Sequence, residues 1–244
     1  MEPIEILIFT AIAILAIVVI ALFIFFSKKA IIKRKLKKSE LKRLSRFRSG
    51  ETAKIVGKVE FVDPPLKAPL THRKCSHYHV KIEEKKTSGN NSRWVTLVKE
   101  EKQVRYLIKD GIKYAYINDS FLKSYIVQDA KYSSGFWTDP TENVEHFLSS
   151  KGIDPTGFFG FNKTFRCKEG ILEENEEIAV YGHGEWKDAA ELALPAKYGK
   201  VLEITATGEE AIYLSDDPDT TEEQPQNHST NRRTENARKG RYRK

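Results

Sequence analysis

An uninterrupted apolar segment near the N-terminus constrains this chain more than any other feature. Residues 6–26 carry no charge, and Thr10 is their only polar side chain. A helix of this length spans roughly 31 Å, about the thickness of a bilayer's hydrocarbon core. A cleaved signal peptide needs positive charge before a shorter apolar run and small residues at its end, whereas Glu2 and Glu5 precede this run and aromatic residues end it. The sequence therefore predicts a transmembrane helix over 6–26.

The charge of the chain is concentrated beside this segment. The net charge is +7, but residues 27–50 hold 11 Lys and Arg against one Glu, whereas residues 51–215 hold 23 basic and 25 acidic residues. By the positive-inside rule, residues 1–5 lie outside and everything from residue 27 is cytoplasmic. No second apolar run follows, which predicts a single-pass protein. Because residues 51–215 have no basic excess, we expect no nucleic-acid partner.

The basic juxtamembrane segment 27–50 has two interpretations. The first is a topology signal followed by a solvated helix, with Ile31, Ile32, Leu36 and Leu41 on one side. The second is binding to the lipid bilayer through anionic headgroups over residues 28–48. We favour topology as the main role, and both can hold. The candidate headgroup contacts are Lys28, Lys29, Lys33, Arg34, Lys35, Lys37 and Lys38.

Alternating apolar and polar residues dominate the segment 51–215 and predict short strands. Asp110-Gly111, between two such runs, predicts a hairpin. One helix is predicted after Asp139 and Pro140, and it ends at Gly152. Residues 216–244 are almost entirely polar, which predicts a disordered tail. The expected fold is a transmembrane helix followed by a β-rich α+β domain, either barrel-like or two packed sheets.

Three sequence blocks together resemble a known family. They run from Pro65 to Trp94, from Phe165 to Gly182 and from Leu202 to Asp216. In order and spacing they resemble the GIDE domain, also called BAM for "beside a membrane". The resemblance covers roughly residues 52–215 and implies a membrane-bound relative of the mitochondria-anchored E3 ubiquitin and SUMO ligases, or of prokaryotic membrane proteins with the same domain.

The chain departs from those ligases in one respect that bears on chemistry. A RING domain holds two zinc ions with eight Cys and His ligands, whereas this sequence contains two cysteines in total, both within 51–215. The second membrane span of the ligases is also missing. The resemblance therefore implies a RING-less, single-span form, which favours a prokaryotic inner membrane over a mitochondrial one.

Four residues form the most notable candidate metal cluster, namely His72, Cys75, His77 and His79. On a strand, Cys75, His77 and His79 would share one face, and three such ligands could bind zinc. That face continues with charged residues, while Tyr78, Val80 and Ile82 take the other face, so we expect the histidines on a solvated face and a metal site to be disfavoured. Gly182-His183-Gly184 is interpreted as a tight turn.

The sequence leads to three functional hypotheses. The favoured one is a non-enzymatic, membrane-anchored binding or scaffolding module with an unidentified protein partner, no catalytic residue and no cofactor. The alternative is a component of a ubiquitin-ligase-like system that needs a RING or E2 from another chain. A third is a metal or redox site at Cys75.

Overall fold

The fold begins with a long apolar helix that stands apart from the rest of the chain. The computed structural model describes residues 3–89, 91–118, 121–133, 142–154, 164–208 and 210–222. Helix α1 spans Pro3–Phe25, and within it Leu7–Phe25 is long and apolar enough to cross a membrane. None of that stretch is buried against other parts of the described chain, and no other described helix meets the same criteria. The predicted apolar N-terminal helix is confirmed.

The remaining elements are mostly strands. The further helices are α2 (Lys28–Lys38), α3 (Glu142–Ser150) and α4 (Pro218–Thr221), with single 3-10 turns at Leu44–Arg46, Ala189–Leu192 and Ala196–Tyr198. The strands are β1 (Glu51–Phe61), β2 (Leu66–Lys67), β3 (Lys74–Cys75), β4 (His77–Ser88), β5 (Asn91–Gln103), β6 (Tyr106–Asp110), β7 (Lys113–Ile117), β8 (Leu122–Tyr125), β9 (Ala130–Ser133), β10 (Phe165–Leu172), β11 (Glu177–Asp188), β12 (Lys200–Thr205) and β13 (Ile212–Ser215).

Five strands close into a barrel in the order β1-β6-β7-β12-β11, because β1 also pairs with β11. All contacts are antiparallel except β12 with β7. The barrel encloses a core that includes Ile55, Ile108, Val180, Leu202 and Ile204, each no more than 1 % exposed. Strands β13 and β8 extend the same sheet from the side of β11. The predicted β-rich, barrel-like fold is confirmed.

A second sheet, in the order β5-β4-β10-β9, lies beside the barrel and is covered by α3. Val144, Phe147 and Leu148 form the buried face of α3 and belong to the same cluster as Val80 and Phe165 of the sheet. The helix is predicted correctly, and it begins at Glu142 among the described residues. The predicted cap at Asp139 and Pro140 lies outside the described residues.

The predicted hairpin at Asp110-Gly111 is confirmed. Strand β6 ends at Asp110, Gly111 takes a φ of +63°, and β7 begins at Lys113 and pairs with β6. The positive φ explains why glycine stands at this position, since a side chain would be strained there. The hairpin could be predicted because a two-residue turn depends only on local backbone geometry.

The interpretation of Gly182-His183-Gly184 as a tight turn is wrong. These residues lie within β11, where His183 pairs with Thr52 on one side and Thr205 on the other. A Cβ at Gly182 would lie 2.5 Å from Cγ2 of Ile204, and one at Gly184 would lie 2.6 Å from Cε1 of Phe47. The two glycines therefore allow neighbouring side chains to pack directly onto the strand.

The predicted disorder does not extend to residues 216–222. Asp217 caps α4 by accepting a hydrogen bond from the backbone N–H of Asp219, and Thr220 is fully buried. Nζ of Lys54 donates to the carbonyl oxygen of Thr220 at 3.1 Å, although Lys54 is itself only 2 % exposed. The polar residues of this stretch are ordered because residues distant in sequence form hydrogen bonds and ion pairs with them. The rest of the predicted tail, 223–244, lies outside the described residues.

Candidate functional site

The junction between α1 and the barrel is the first candidate site. Only Phe26 and Ser27 separate α1 from α2, and the extended backbone of Ser27 breaks the helix while its hydroxyl accepts from the N–H of Ala30. The guanidinium carbon of Arg34 lies 3.6 Å from the centroid of the Phe25 ring. This contact places the Arg34 cation beside the last turn of α1.

Helix α2 packs its apolar side onto the outer surface of the barrel. Ile32 and Leu36 are fully buried in a cluster with Ala179 of β11, and Val56, Tyr181 and Tyr213 pack around it. The expectation of a solvated helix is therefore wrong for Ile32 and Leu36, whereas Ile31 and Leu41 remain partly exposed. The outer face of the strands presents apolar and aromatic side chains here, and covering them favours docking of the helix.

Three of the seven predicted headgroup contacts have carboxylate partners within the chain. Nζ of Lys33 lies 2.8 Å from carboxylate oxygens of both Asp217 and Asp219, and Nζ of Lys37 lies 3.1 Å from Asp219. Lys35 pairs with Glu210. Burial lowers the pKa of Lys33, but its hydrogen bonds to Asp217 and Asp219 outweigh this and raise it overall. These lysines join α2 to the domain.

The other four predicted headgroup contacts lack carboxylate partners in the described part of the chain. Lys28 and Lys38 are exposed, and Nζ of Lys29 stands 4.8 Å over the ring of Tyr125. Nη1 of Arg34 is buried and has no hydrogen-bond partner among the described residues. Of the seven predicted headgroup contacts, Lys28, Lys29, Arg34 and Lys38 are therefore the ones that remain for an external ligand.

The segment after α2 continues into the barrel. The N–H of Lys42 donates to the carbonyl of Lys54 at 2.8 Å, and the N–H of Lys54 donates to the carbonyl of Glu40 at 2.9 Å. Phe47 is buried in the barrel core, and its carbonyl accepts from Nε1 of Trp186 at 2.8 Å. Residues 27–50, predicted as a separate juxtamembrane segment, thus pack as part of the same body as 51–215.

The four predicted metal ligands are not brought together. His72 lies exposed on a loop with a φ of +58°, Cys75 is fully buried, His77 is 1 % exposed, and His79 is partly buried. Across the described ranges, no group of three or more His, Cys, Asp or Glu side chains is placed to hold a metal ion. The expectation of a solvated face is wrong for His77, because Glu101 of β5 contacts its ring and Ser124 of β8 in turn contacts Glu101.

The covering contact is a short hydrogen-bonded chain between the two sheets. Nε2–H of His77 and the hydroxyl of Ser124 both donate to Oε1 of Glu101, at 2.9 and 2.5 Å. The hydrogen bond from His77, more than any other contact, lowers the pKa of Glu101 to about 2, against an opposing effect of burial. A catalytic serine donates its hydrogen bond to an imidazole that can accept the proton, whereas Ser124 donates its hydrogen bond to a carboxylate of low basicity. The arrangement therefore links the sheets and does not activate a nucleophile.

Neither thiol is activated. Cys75 and Cys167 are free and buried in the core beneath α3. Burial raises the pKa of each thiol to about 12, so both remain protonated at neutral pH. Because the thiolate is the nucleophile and the metal ligand, these environments do not favour a metal or redox role.

A second concavity lies between the barrel and the adjoining sheet, with a volume of about 320 Å³. Its one cation, Arg105, pairs with Asp63 through Nε at 2.9 Å and Nη2 at 2.8 Å, and its Nη1 donates to the carbonyl of Ala193 at 2.7 Å. All three nitrogens are thus engaged within the chain. Arg105 is therefore not free to bind a charged ligand in this concavity, whereas the junction beside α2 has cations without carboxylate partners among the described residues.

Asp216 is a buried acid that sequence reasoning assigned to a disordered tail. It is 9 % exposed, and both of its carboxylate oxygens accept from the N–H of Val127, at 2.8 and 3.0 Å. Burial raises the pKa of Asp216 to about 7, with smaller contributions from Glu176 and Asp129 and an opposing one from the Val127 hydrogen bond. No local signal identifies it, because its burial depends on strands far away in sequence.

The raised pKa of Asp216 predicts a pH-dependent stability. Because the folded state holds this proton more tightly than the unfolded state, the stabilisation is complete below about pH 4 and is lost as the pH rises through about 7. We expect Asp216→Asn, whose amide oxygen can still accept from Val127, to lose less unfolding free energy than the wild type between pH 5 and 8. Thermal and denaturant unfolding of the full chain in detergent measures this, and parallel pH profiles for the two proteins would contradict it.

Comparison with known proteins gives no relatives for this chain. No family model matches it, and no curated protein or solved structure is significantly similar to it.

Proposed function

We propose that this chain is a single-pass membrane protein that holds a β-rich binding module at the cytoplasmic face of a membrane. The module binds a protein partner and catalyses no reaction. The observation that carries the proposal is the docking of α2: Ile32 and Leu36 are fully buried against the barrel, on a helix that only two residues separate from the membrane-length helix. The basic residues that follow α1 support a cytoplasmic domain by the positive-inside rule.

Docking of α2 distinguishes a positioned module from a tethered one. A free segment of 24 residues would let the domain sample separations of roughly 25 Å or more from the membrane. With α2 packed on the barrel, the two residues between the helices leave little freedom. A domain held in this way presents the same surface to every partner in the plane of the membrane, which suits binding and scaffolding.

The resemblance to the GIDE domain fits this proposal. Its three blocks occupy β2 to β5, β10 and β11, and β12 and β13, so the residues that carry the resemblance form much of both sheets. Residues 1–244 contain two cysteines, fewer than the ligand set of a RING requires. We therefore propose a RING-less member that binds a partner, in a prokaryotic inner membrane.

Cysteine labelling in sealed cells tests the orientation. Ile112 is 88 % exposed at the tip of the β6–β7 hairpin, whereas both native thiols are buried, so Ile112→Cys provides one reactive thiol. We expect a membrane-impermeant maleimide to label Ile112→Cys only after the cells are opened. Glu2→Cys is the matched variant and should react in intact cells. Labelling of Ile112→Cys in intact cells would contradict a cytoplasmic domain.

Binding is tested by a photo-crosslinker at Ile112 in native membranes. We expect one discrete crosslinked species in the wild-type background, and its loss when α2 is undocked by Leu36→Ala in a protein that still inserts into the membrane. A crosslinked species that persists unchanged after undocking would mean that partner binding does not need the docked geometry. Turnover of a substrate by the purified full chain would contradict a non-enzymatic module.

A further inference from the structure

A cleft between α2 and the barrel is lined in part by Arg34, the residue that packs over Phe25 at the end of the membrane-length helix. Its volume is about 500 Å³, and its lining includes Arg34, Lys35 and Lys38 from α2, Tyr181 from the barrel strand β11 and Tyr213 from the adjoining strand β13. One carboxylate, Glu40, also lines it, so the side chains around the cleft carry a net positive charge. An anion is therefore the favoured class of ligand.

Arg34 is the residue in this cleft that is left without its usual partners. Its Nη1 is shielded from solvent and has no acceptor in the described ranges of the chain. A buried donor without an acceptor costs free energy, and arginine donors are normally satisfied when buried. A hydrogen-bond acceptor at Nη1 of Arg34 would therefore be stabilising, and the described residues do not provide one.

The two lysines that line the cleft beside Arg34 differ in whether they already contact other residues of the chain. Lys35 pairs with Glu210 and stands 4.1 Å over the ring of Tyr181. Lys38 is exposed and forms no ion pair with any described residue. Arg34 and Lys38 lie one helical turn apart, so they can contact one ligand together. These two residues define the end of the cleft at which an anionic group would bind.

The level of Arg34 relative to α1 indicates where the ligand comes from. Its guanidinium packs over the ring of Phe25, the last residue of α1, so it lies where an apolar helix would meet the headgroup layer of a bilayer. A guanidinium presents a planar fork of donors that matches two oxygens of a phosphate. The chemistry of the site and its level both favour a phosphate group.

We propose that the cleft binds a phosphate group through Arg34 and Lys38. The phosphate is presented by an anionic phospholipid headgroup or by a soluble phosphate compound. The lipid source rests on the proposed membrane anchoring, whereas the recognition chemistry does not. Of the seven basic residues predicted to meet headgroups, Arg34 and Lys38 form this specific site, and Lys33, Lys35 and Lys37 join α2 to the domain.

Thermal unfolding of the delipidated full chain in a neutral detergent tests the site. The probes are dioctanoyl phosphatidylglycerol, inorganic phosphate, and dioctanoylglycerol as a lipid without phosphate. We expect phosphatidylglycerol, but not dioctanoylglycerol, to raise Tm, and Arg34→Gln to weaken its binding on the order of tenfold or more. A shift with inorganic phosphate as well would assign the site to phosphate from either source.

Two further variants separate recognition from general charge. Arg46→Gln removes the same charge from an exposed position outside the cleft and should retain the wild-type shift. Arg34→Lys keeps the charge but loses the planar fork, and should bind with intermediate affinity, which serves as the test if Arg34→Gln unfolds. If no phosphate-bearing probe shifts Tm, or if Arg46→Gln removes the shift equally, the site is refuted. Neither outcome depends on the labelling that tests orientation.

Discussion

Leu36→Ala is expected to lower the unfolding free energy by about 2–5 kcal/mol, the range for truncating a fully buried leucine. Leu36 is 0 % exposed and packs with Ile32 against Ala179, where α2 meets the barrel. Alanine favours helix formation, so the substitution removes packing without weakening α2 itself. The loss therefore falls on the contact between α2 and the barrel.

Two measurements on the full chain in detergent test this effect. Thermal unfolding reports the loss of stability, and limited proteolysis of the folded protein reports whether α2 stays docked. We expect a lower Tm and new cleavage at the basic residues of α2. Lys38→Ala is the matched control, because Lys38 is exposed on the same helix and should stay within about 0.5 kcal/mol of the wild type. If α2 of Leu36→Ala resists cleavage as the wild type does, α2 is not held by this packing, and the proposed positioning of the domain fails with it.

Removal of the Glu169 carboxylate is expected to lower the free energy of unfolding by a similar amount, roughly 3 kcal/mol or more. Glu169 is fully buried in β10, and its oxygens accept from the N–H of Leu70 at 2.7 Å, the N–H of Thr71 at 3.0 Å and the hydroxyl of Thr71 at 2.6 Å. Glu169→Ala would leave these donors without an acceptor and would open a void beside them. The segment between β2 and β3 would then lose its main attachment to the sheet.

Thiol reactivity provides a local measurement of this change. The segment held by Glu169 contributes Ala68 and Leu70 to the core that also buries Cys75. We expect Glu169→Ala to lower Tm and to speed modification of Cys75 by an aromatic disulfide reagent. Glu177→Ala, at an exposed position, should change neither quantity. A fall in Tm without faster thiol modification would show that the segment stays attached and that the carboxylate stabilises another part of the fold.

The features that could be predicted from sequence are those that depend on neighbouring residues. Alternation of apolar and polar residues within 51–215 predicted strands such as β1 and β4, because side chains on a strand point alternately to its two faces. The Asp110-Gly111 hairpin and α3 were predicted for the same local reason. The predicted faces of β4 failed at His77, because alternation cannot reveal a second layer that covers the opposite side.

In the candidate site, too, sequence predicted what depends on neighbouring residues and missed what depends on distant contacts. The sequence identified the basic stretch after the apolar helix but treated its seven candidate residues alike. Their different roles arise from Asp217, Asp219 and Glu210, more than 170 positions away along the chain, which pair with Lys33, Lys37 and Lys35. No local pattern indicates such partners, and a polar stretch such as 216–222 has the composition of a disordered one until its partners are known.

The sequence by itself determined the apolar helix, the basic stretch beside it and a β-rich domain, because composition and periodicity act over a few residues. Only the tertiary structure decided that β1 closes the barrel by pairing with both β6 and β11, that α2 docks through Ile32 and Leu36, and that Arg34 is left with a buried donor beside Phe25. Closure, docking and the partners of buried polar groups depend on which distant surfaces meet, and the energy of those contacts is absent from any short segment.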